Sequence, residues 1–165
     1  HQFLGPRRPG RGSMFHSLWF LDGSRGAQQD ARGDRVRALA RHRLVHESRP
    51  ERPPGNGGRP RLKVFEVVAG AQVSGRGRPG ATVRVALPLQ TNLMRRAHYE
   101  TETVVGPTGA YHLRLPYASR GGPPGVRATG PYELSCDGVQ ATLAVDEAAV
   151  QAGRDVSGPT LCAVW

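Results

Sequence analysis

Lysine is almost absent from this 165-residue chain: of 23 basic residues only Lys63 is a lysine, and the rest are arginine. Beside 22 Gly and 14 Pro, that skew reads as a (G+C)-rich coding bias as much as selection for charge. Apolar runs are short. None reaches the ~18–20 consecutive residues of a membrane span, and residues 1–12 lack the apolar core of a secretory leader. The chain opens on His1 rather than methionine, as expected of a fragment or a processed chain. Cysteine is scarce too. Cys136 and Cys162 are too few for a disulfide-built scaffold and lack the paired spacing of a zinc site. They leave two readings open: a disulfide pinning the C-terminal strand to a sheet, or two buried thiols. At this length one modest core is feasible.

What the chain has in excess is positive charge, +10 overall. It is unevenly spread: residues 1–62 hold 13 Arg against 5 acids, whereas residues 63–165 hold 10 basic residues against 8 acids. Guanidinium matches phosphate bidentately, so the clusters at 7–11, 35–43 and 59–61 invite a nucleic-acid reading. The first cluster has no interleaved aromatics, however, and no RNA-recognition signature is present. Nucleic acid is not an expected partner.

Catalytic signatures are equally sparse. No G-x-S-x-G elbow and no Gly-rich loop ending in Lys-Ser or Lys-Thr occurs. His42 and His46 stand four apart, but Arg43 occupies the place where a zinc hydrolase needs glutamate. His98 and His112 follow no ligand spacing, and Glu100 with Glu102 reads as the wet face of a strand. Arg32-Gly33-Asp34 matches an integrin tripeptide, which chance explains in so Arg- and Gly-rich a chain. Asn56 and Asn92 are not in glycosylation sequons.

Hydrophobic periodicity divides the chain in two. Residues 1–12 read as a disordered lead-in. Ser13 can cap a helix whose apolar stripe is Met14, Phe15, Leu18, Trp19 and Leu21, ended by Gly23. A second helix is expected over Asp34–His46, and residues 48–62, rich in Pro and Gly, read as a linker. From Lys63 the period becomes two. KVFEVV, ATVRVAL, YETETVV, YHLRLPY, VRATGPYELS and VQATLAV give six or seven strands, with Val83, Val85, Leu87, Tyr111, Leu113 and Leu115 inward. The expected fold is mainly β, an antiparallel sandwich of immunoglobulin-like or transthyretin-like type preceded by two short helices.

The order RVRALARHRLVHES, a Pro/Gly linker, LKVFEVVAGAQVSGRGRPGATVRVAL, VGPTGAYHLRLPYAS and VRATGPYEL resembles a known arrangement. It is similar to the C-terminal extracytoplasmic part of archaeal-type oligosaccharyltransferases, the archaeal glycosylation protein B family. Matching pieces are Ala38-Leu39 with Arg43-Leu44-Val45, Lys63 to Glu66, Gly70-Ala71 with Val73 and Gly75, Leu115-Pro116-Tyr117, and Val126 to Tyr132. Ala69 replaces the family's proline, and the loop after Tyr117 is shorter.

The resemblance implies residues 13–47 as the helical end of a central soluble domain and 63–165 as a peripheral β-sandwich domain. It implies a membrane-bound parent enzyme that transfers a lipid-linked oligosaccharide to Asn in Asn-x-Ser/Thr, with this portion on the extracytoplasmic face. Mg or Mn is implied for the parent but no cofactor for this chain, which lacks the family's Trp-Trp-Asp-Tyr-Gly motif and acidic metal ligands. Its partners would be its own membrane domain, the acceptor polypeptide, the lipid-linked oligosaccharide and anionic lipid headgroups near the basic N-terminal half. A family helix packs the acceptor's Ser/Thr through an Asp-x-x-Met-x-x-x-Ile pattern. Met14 and Leu18 have that Met-x-x-x-aliphatic spacing, with Arg11 where the acid belongs. They are the candidate acceptor-recognition residues; the other reading is that both pack a core. The β part alone also resembles transthyretin-like or carboxypeptidase-regulatory modules, which serve as binding or spacer domains.

Overall fold

The computed structural model describes residues 13–26, 35–50 and 60–162. The expected lead-in at 1–12 and most of the expected linker lie outside the described residues. Twelve elements follow one another: α1 (Met14–Leu21), β1 (His42–Glu47), β2 (Lys63–Val67), β3 (Ala71–Arg76), β4 (Thr82–Gln90), β5 (Arg96–Val104), β6 (Ala110–Leu115), β7 (Arg127–Ala128), β8 (Tyr132–Cys136), β9 (Val139–Leu143), α2 (Glu147–Ala152) and β10 (Asp155–Thr160). One sheet runs β10-β3-β6 and the other β5-β4-β8-β9, with β7 joined to β4; β1 and β2 form a separate ribbon. The pairings are antiparallel except β10 on β3, which is parallel.

The two sheets bury the residues that strand alternation turns inward. Val83, Val85 and Leu87 from β4, Tyr111, Leu113 and Leu115 from β6, and Tyr132 and Leu134 from β8 form one core with Val73, Tyr99 and Tyr117. Every second residue of these strands faces water, so the period-two pattern translates directly into a packed layer. The aromatic members are also wired to the backbone. Tyr132 Oη donates to the carbonyl of Tyr117 at 2.8 Å, and Leu44 N–H donates to Tyr117 Oη at 2.8 Å. Burial holds the phenols of Tyr99, Tyr117 and Tyr132 well above the ordinary tyrosine range. They therefore stay neutral throughout the physiological range.

The expected helix over Asp34–His46 is corrected: residues 42–47 are strand β1, paired antiparallel with β2 from His42↔Val67 to Glu47↔Lys63. Ala, Leu and Arg favour helix locally, but β2 offers a complete hydrogen-bonding ladder and tertiary pairing overrides propensity. Only one of the two helices thus precedes the sheets; the second, α2, lies between β9 and β10. Strands β3 and β10, absent from the expected set, complete the smaller sheet. Gly75 in β3 is required by packing, because a Cβ there would stand 2.3 Å from the Tyr111 ring.

Candidate functional site

Helix α1 carries the two residues singled out for acceptor recognition. Ser13 caps it, its Oγ accepting from His16 N–H at 3.1 Å. Asp22 ends it in the left-handed region at φ 53°, and Gly23 N–H closes back on the Ser17 carbonyl at 2.9 Å. One turn of helix separates positions i and i+4, so Met14 and Leu18 share a face. Met14 is exposed and Leu18 half-buried, while Ser17 is the buried member of the helix. Phe15 stacks on Trp19 at 5.9 Å and His16 on Phe20 at 5.1 Å. Met14, Phe15 and Phe20 are each about half-exposed, so α1 presents an apolar surface.

What holds α1 is ionic. Lys63 Nζ at the start of β2 donates to Asp22 Oδ1 at 2.6 Å and to the Trp19 carbonyl at 2.7 Å. It also lies 5.9 Å from the centre of the Trp19 ring. Arg95, just before β5, links Asp22 at 2.9 Å to Glu47 of β1 at 2.6 Å. Glu47 is 2% exposed and takes a further bond from Thr91 Oγ1 at 2.6 Å. Burial alone would raise the Glu47 carboxyl, yet the Arg95 and Thr91 hydrogen bonds and the nearby cations hold it below the usual range. Beyond Asp22 the chain runs beside β5: Arg25 N–H donates to the Glu100 carbonyl at 2.9 Å, and Glu100 N–H to Ser24 Oγ at 2.8 Å.

A second network fixes the ribbon on the sandwich. Arg43 of β1 is 1% exposed. Its Nε and Nη2 donate to Glu66 at 2.9 and 2.7 Å, and its Nη1 and Nη2 to Glu147 of α2 at 2.7 and 2.6 Å. Gln151 donates to both carboxylates, at 3.0 and 2.9 Å. A buried guanidinium with its donors filled by two carboxylates is the arrangement that burial of charge demands. None of these ionic residues was expected to have a role. The available signal was the solitary lysine in a chain of arginines.

Cys136, at the end of β8, and Cys162, just after β10, are joined by a disulfide with Cα atoms 5.5 Å apart. The same pair with Asp137 forms the one group of potential metal-ligating side chains among the described residues. Its thiols are consumed in the disulfide and Asp137 pairs with Arg78, so these residues do not fit a metal ion. Among the described residues no helix is long and apolar enough to cross a membrane.

Residues 70–156 match the family described as archaeal glycosylation protein B long peripheral domain. That is more than half of the chain. The chain belongs to this family. The glycosylation protein B match begins at the close of the β1–β2 ribbon, leaving α1 and the ribbon ahead of it. Structural comparison extends further. AglB from Archaeoglobus fulgidus, in complex with an inhibitory peptide and a dolichol-phosphate, aligns with TM-score 0.73 and 19% identity over 92% of this chain and 23% of its own. The A. fulgidus oligosaccharyltransferase in complex with Zn and sulfate aligns with TM-score 0.71 and 19% identity over 89% of this chain and 24% of its own. At that identity the likeness shows the fold. This chain spans about a quarter of those structures. Sequence comparison with curated proteins finds no match.

Proposed function

We propose that this chain is the non-catalytic peripheral portion of a membrane oligosaccharyltransferase that transfers a lipid-linked oligosaccharide to Asn in Asn-x-Ser/Thr. The observation that carries the reading is the match of residues 70–156 to the glycosylation protein B peripheral domain. Simple transthyretin-like modules have no need of the ion-anchored α1 ahead of the sheets. The acceptor polypeptide and the lipid carrier are the partners of the parent; the A. fulgidus relative is described with a peptide and a dolichol-phosphate. A divalent metal, Mg or Mn in this reading, is held by parts of the parent other than the residues described above. The extracytoplasmic face is supported by the Cys136–Cys162 disulfide, because such bonds persist in oxidising compartments.

In this reading α1 offers Met14 and Leu18 to the acceptor's Ser or Thr side chain. Met14→Ala and Leu18→Ala in the full-length enzyme are expected to raise KM for a sequon peptide while leaving the fold intact, since Met14 is exposed. Glycosylation unchanged in both variants overturns the acceptor role. The Arg-rich N-terminal part would lie towards anionic headgroups, each basic residue near such a surface contributing about 1 kcal/mol. Binding to phosphatidylserine-containing vesicles that weakens with salt is expected. No binding at low ionic strength refutes the contact.

A further inference from the structure

The outer face of the larger sheet carries a groove of about 630 Å³ that the reading above does not use. Strand register defines its lining. One row across the four strands is Glu100, Ala86, Glu133 and Thr142; the next is Glu102, Arg84, Ser135 and Gln140. Neighbouring strands are ~4.8 Å apart, and rows two residues apart along a strand are separated by ~6.7 Å. The face is therefore a lattice of hydrogen-bonding groups with a low point at Ala86, flanked by carboxylates on both sides. Arg25 closes one end, its Nη2 3.0 Å from Glu102, while its Nε is buried without a hydrogen-bond partner.

Two features separate this groove from an ordinary wet sheet face. The first is concavity. The second is that its central groups are unpaired, whereas Lys63, Arg95, Arg43, Glu47, Glu66 and Glu147 are all consumed in ion pairs. Arg84, Glu133, Ser135, Gln140 and Thr142 have no mutual hydrogen bond or salt bridge among the described residues, although opposite charges stand on adjacent strands. Diagonal neighbours here are ~7–8 Å apart and make no direct bond, and a ligand hydroxyl placed between them reaches both.

We infer that this groove binds a neutral oligosaccharide. A sugar hydroxyl both donates and accepts, so one ligand satisfies carboxylates and guanidinium alike. An anion would meet Glu100 and Glu133, and the two arginines of the lining are balanced by these two glutamates, so the groove has no net charge to favour an ion. An apolar peptide would find no aromatic side chain in the lining. The ligand class rests on the proposed function, where the natural occupant is the glycan being transferred; the groove itself does not depend on it.

The test is titration of the 165-residue chain with neutral hexasaccharides of glucose, mannose or galactose, followed by backbone amide shifts, with an oligogalacturonate as the acidic arm. At least one neutral hexasaccharide is expected to shift β4, β8 and β9 amides, with affinity in the millimolar range. Ala86→Leu, which fills the floor, and the Arg84→Ala/Glu133→Gln pair are each expected to weaken binding at least about tenfold, roughly 1.4 kcal/mol. All three side chains lie on the outer face, and the amide spectrum verifies folding in the same experiment. No shifts at about 10 mM, shifts confined elsewhere, binding of the acidic arm alone, or variants that bind undiminished would each overturn the inference. A full-length enzyme that glycosylates normally while the groove ignores every neutral saccharide separates failure here from failure of the proposed function.

Discussion

Asp22 is the point at which α1 is tied to two strands, and Asp22→Asn isolates its charge. Asparagine is nearly isosteric and tolerates the left-handed conformation at φ 53°. It can still accept one bond from Lys63, so geometry and capping survive while the ionic part is lost. Hydrogen bonds to charged groups contribute about 1.5–3 kcal/mol net against about 0.5–1.5 for neutral ones. The Lys63 side chain is 8% exposed and Asp22 13%, so that bond should lose about 1.5 kcal/mol. Arg95 is 40% exposed and keeps Glu47, which reduces its share to about 0.5 kcal/mol. The sum, about 2 kcal/mol, corresponds to a Tm fall of about 4–8 °C for a domain of this size. Thermal melts give the global effect. Acrylamide quenching of Trp19, in a Trp165→Phe background, reports whether α1 itself loosens, and increased quenching is expected. Pairing the variant with Lys63→Met in a double-mutant cycle should give a coupling of about 1–2 kcal/mol. A Tm within 1 °C of the parent with unchanged quenching would refute the claim that these ion pairs place the helix.

Two further predictions concern the remaining cross-links. Arg43→Met should destabilise by about 3 kcal/mol, at the lower end for a broken buried pair, because the side chains of Glu66 and Glu147 are 37% and 23% exposed and can rehydrate. For Glu66, the Gln151 hydrogen bond and then Arg43 hold the carboxyl below its usual 4.5; for Glu147, burial opposes but Arg43 and Gln151 prevail. Depressed carboxylates stabilise above their unfolded pKa and lose that contribution as pH falls through the folded value. The parent should therefore lose stability steeply below about pH 4.5, and Arg43→Met should show a shallower loss in pH-dependent melts; parallel curves would contradict the network. Reduction of Cys136–Cys162, 26 residues apart, should cost about 3–4 kcal/mol on loop-closure grounds. Two reactive thiols in the unreduced, denatured chain would exclude the bond.

Legibility followed the range of the interactions. Strands β4, β6 and β8 are readable because alternation is local and each has a buried face, and β5 because Tyr99 anchors the same alternation: Val83 and Val85 inward beside exposed Arg84 say as much in sequence as in space. Strand β1 is not, because its buried residues include Arg43 and Glu47, whose partners lie 104 and 48 residues away in Glu147 and Arg95. No local pattern shows that a charge will be met inside. β10 contains Gly158 and Pro159, which argue against a strand until its position at the edge of the sheet is known; proline is tolerated there. At the candidate site, the i, i+4 relation of Met14 and Leu18 is legible, whereas the exposure of Phe15 and Phe20 depends on how Lys63 and Arg95 set the helix against β2 and β5. The groove on the outer sheet was invisible, since it arises only when four strands align in register.

The parallel pairing of β10 with β3 has a consequence for the order in which the chain can be made. Strand β3 is central in its sheet, between β6 and β10. During synthesis from the N-terminus its second edge stays open until residues 155–160 emerge. An unpaired edge beside the apolar residues of β3 and β6 is a template for intermolecular pairing. Strand β10 thus closes the open edge of β3, and two residues after it Cys162 joins Cys136 of the other sheet. A chain interrupted before residue 155 would keep nearly all of the core residues described above, yet leave that edge of β3 open.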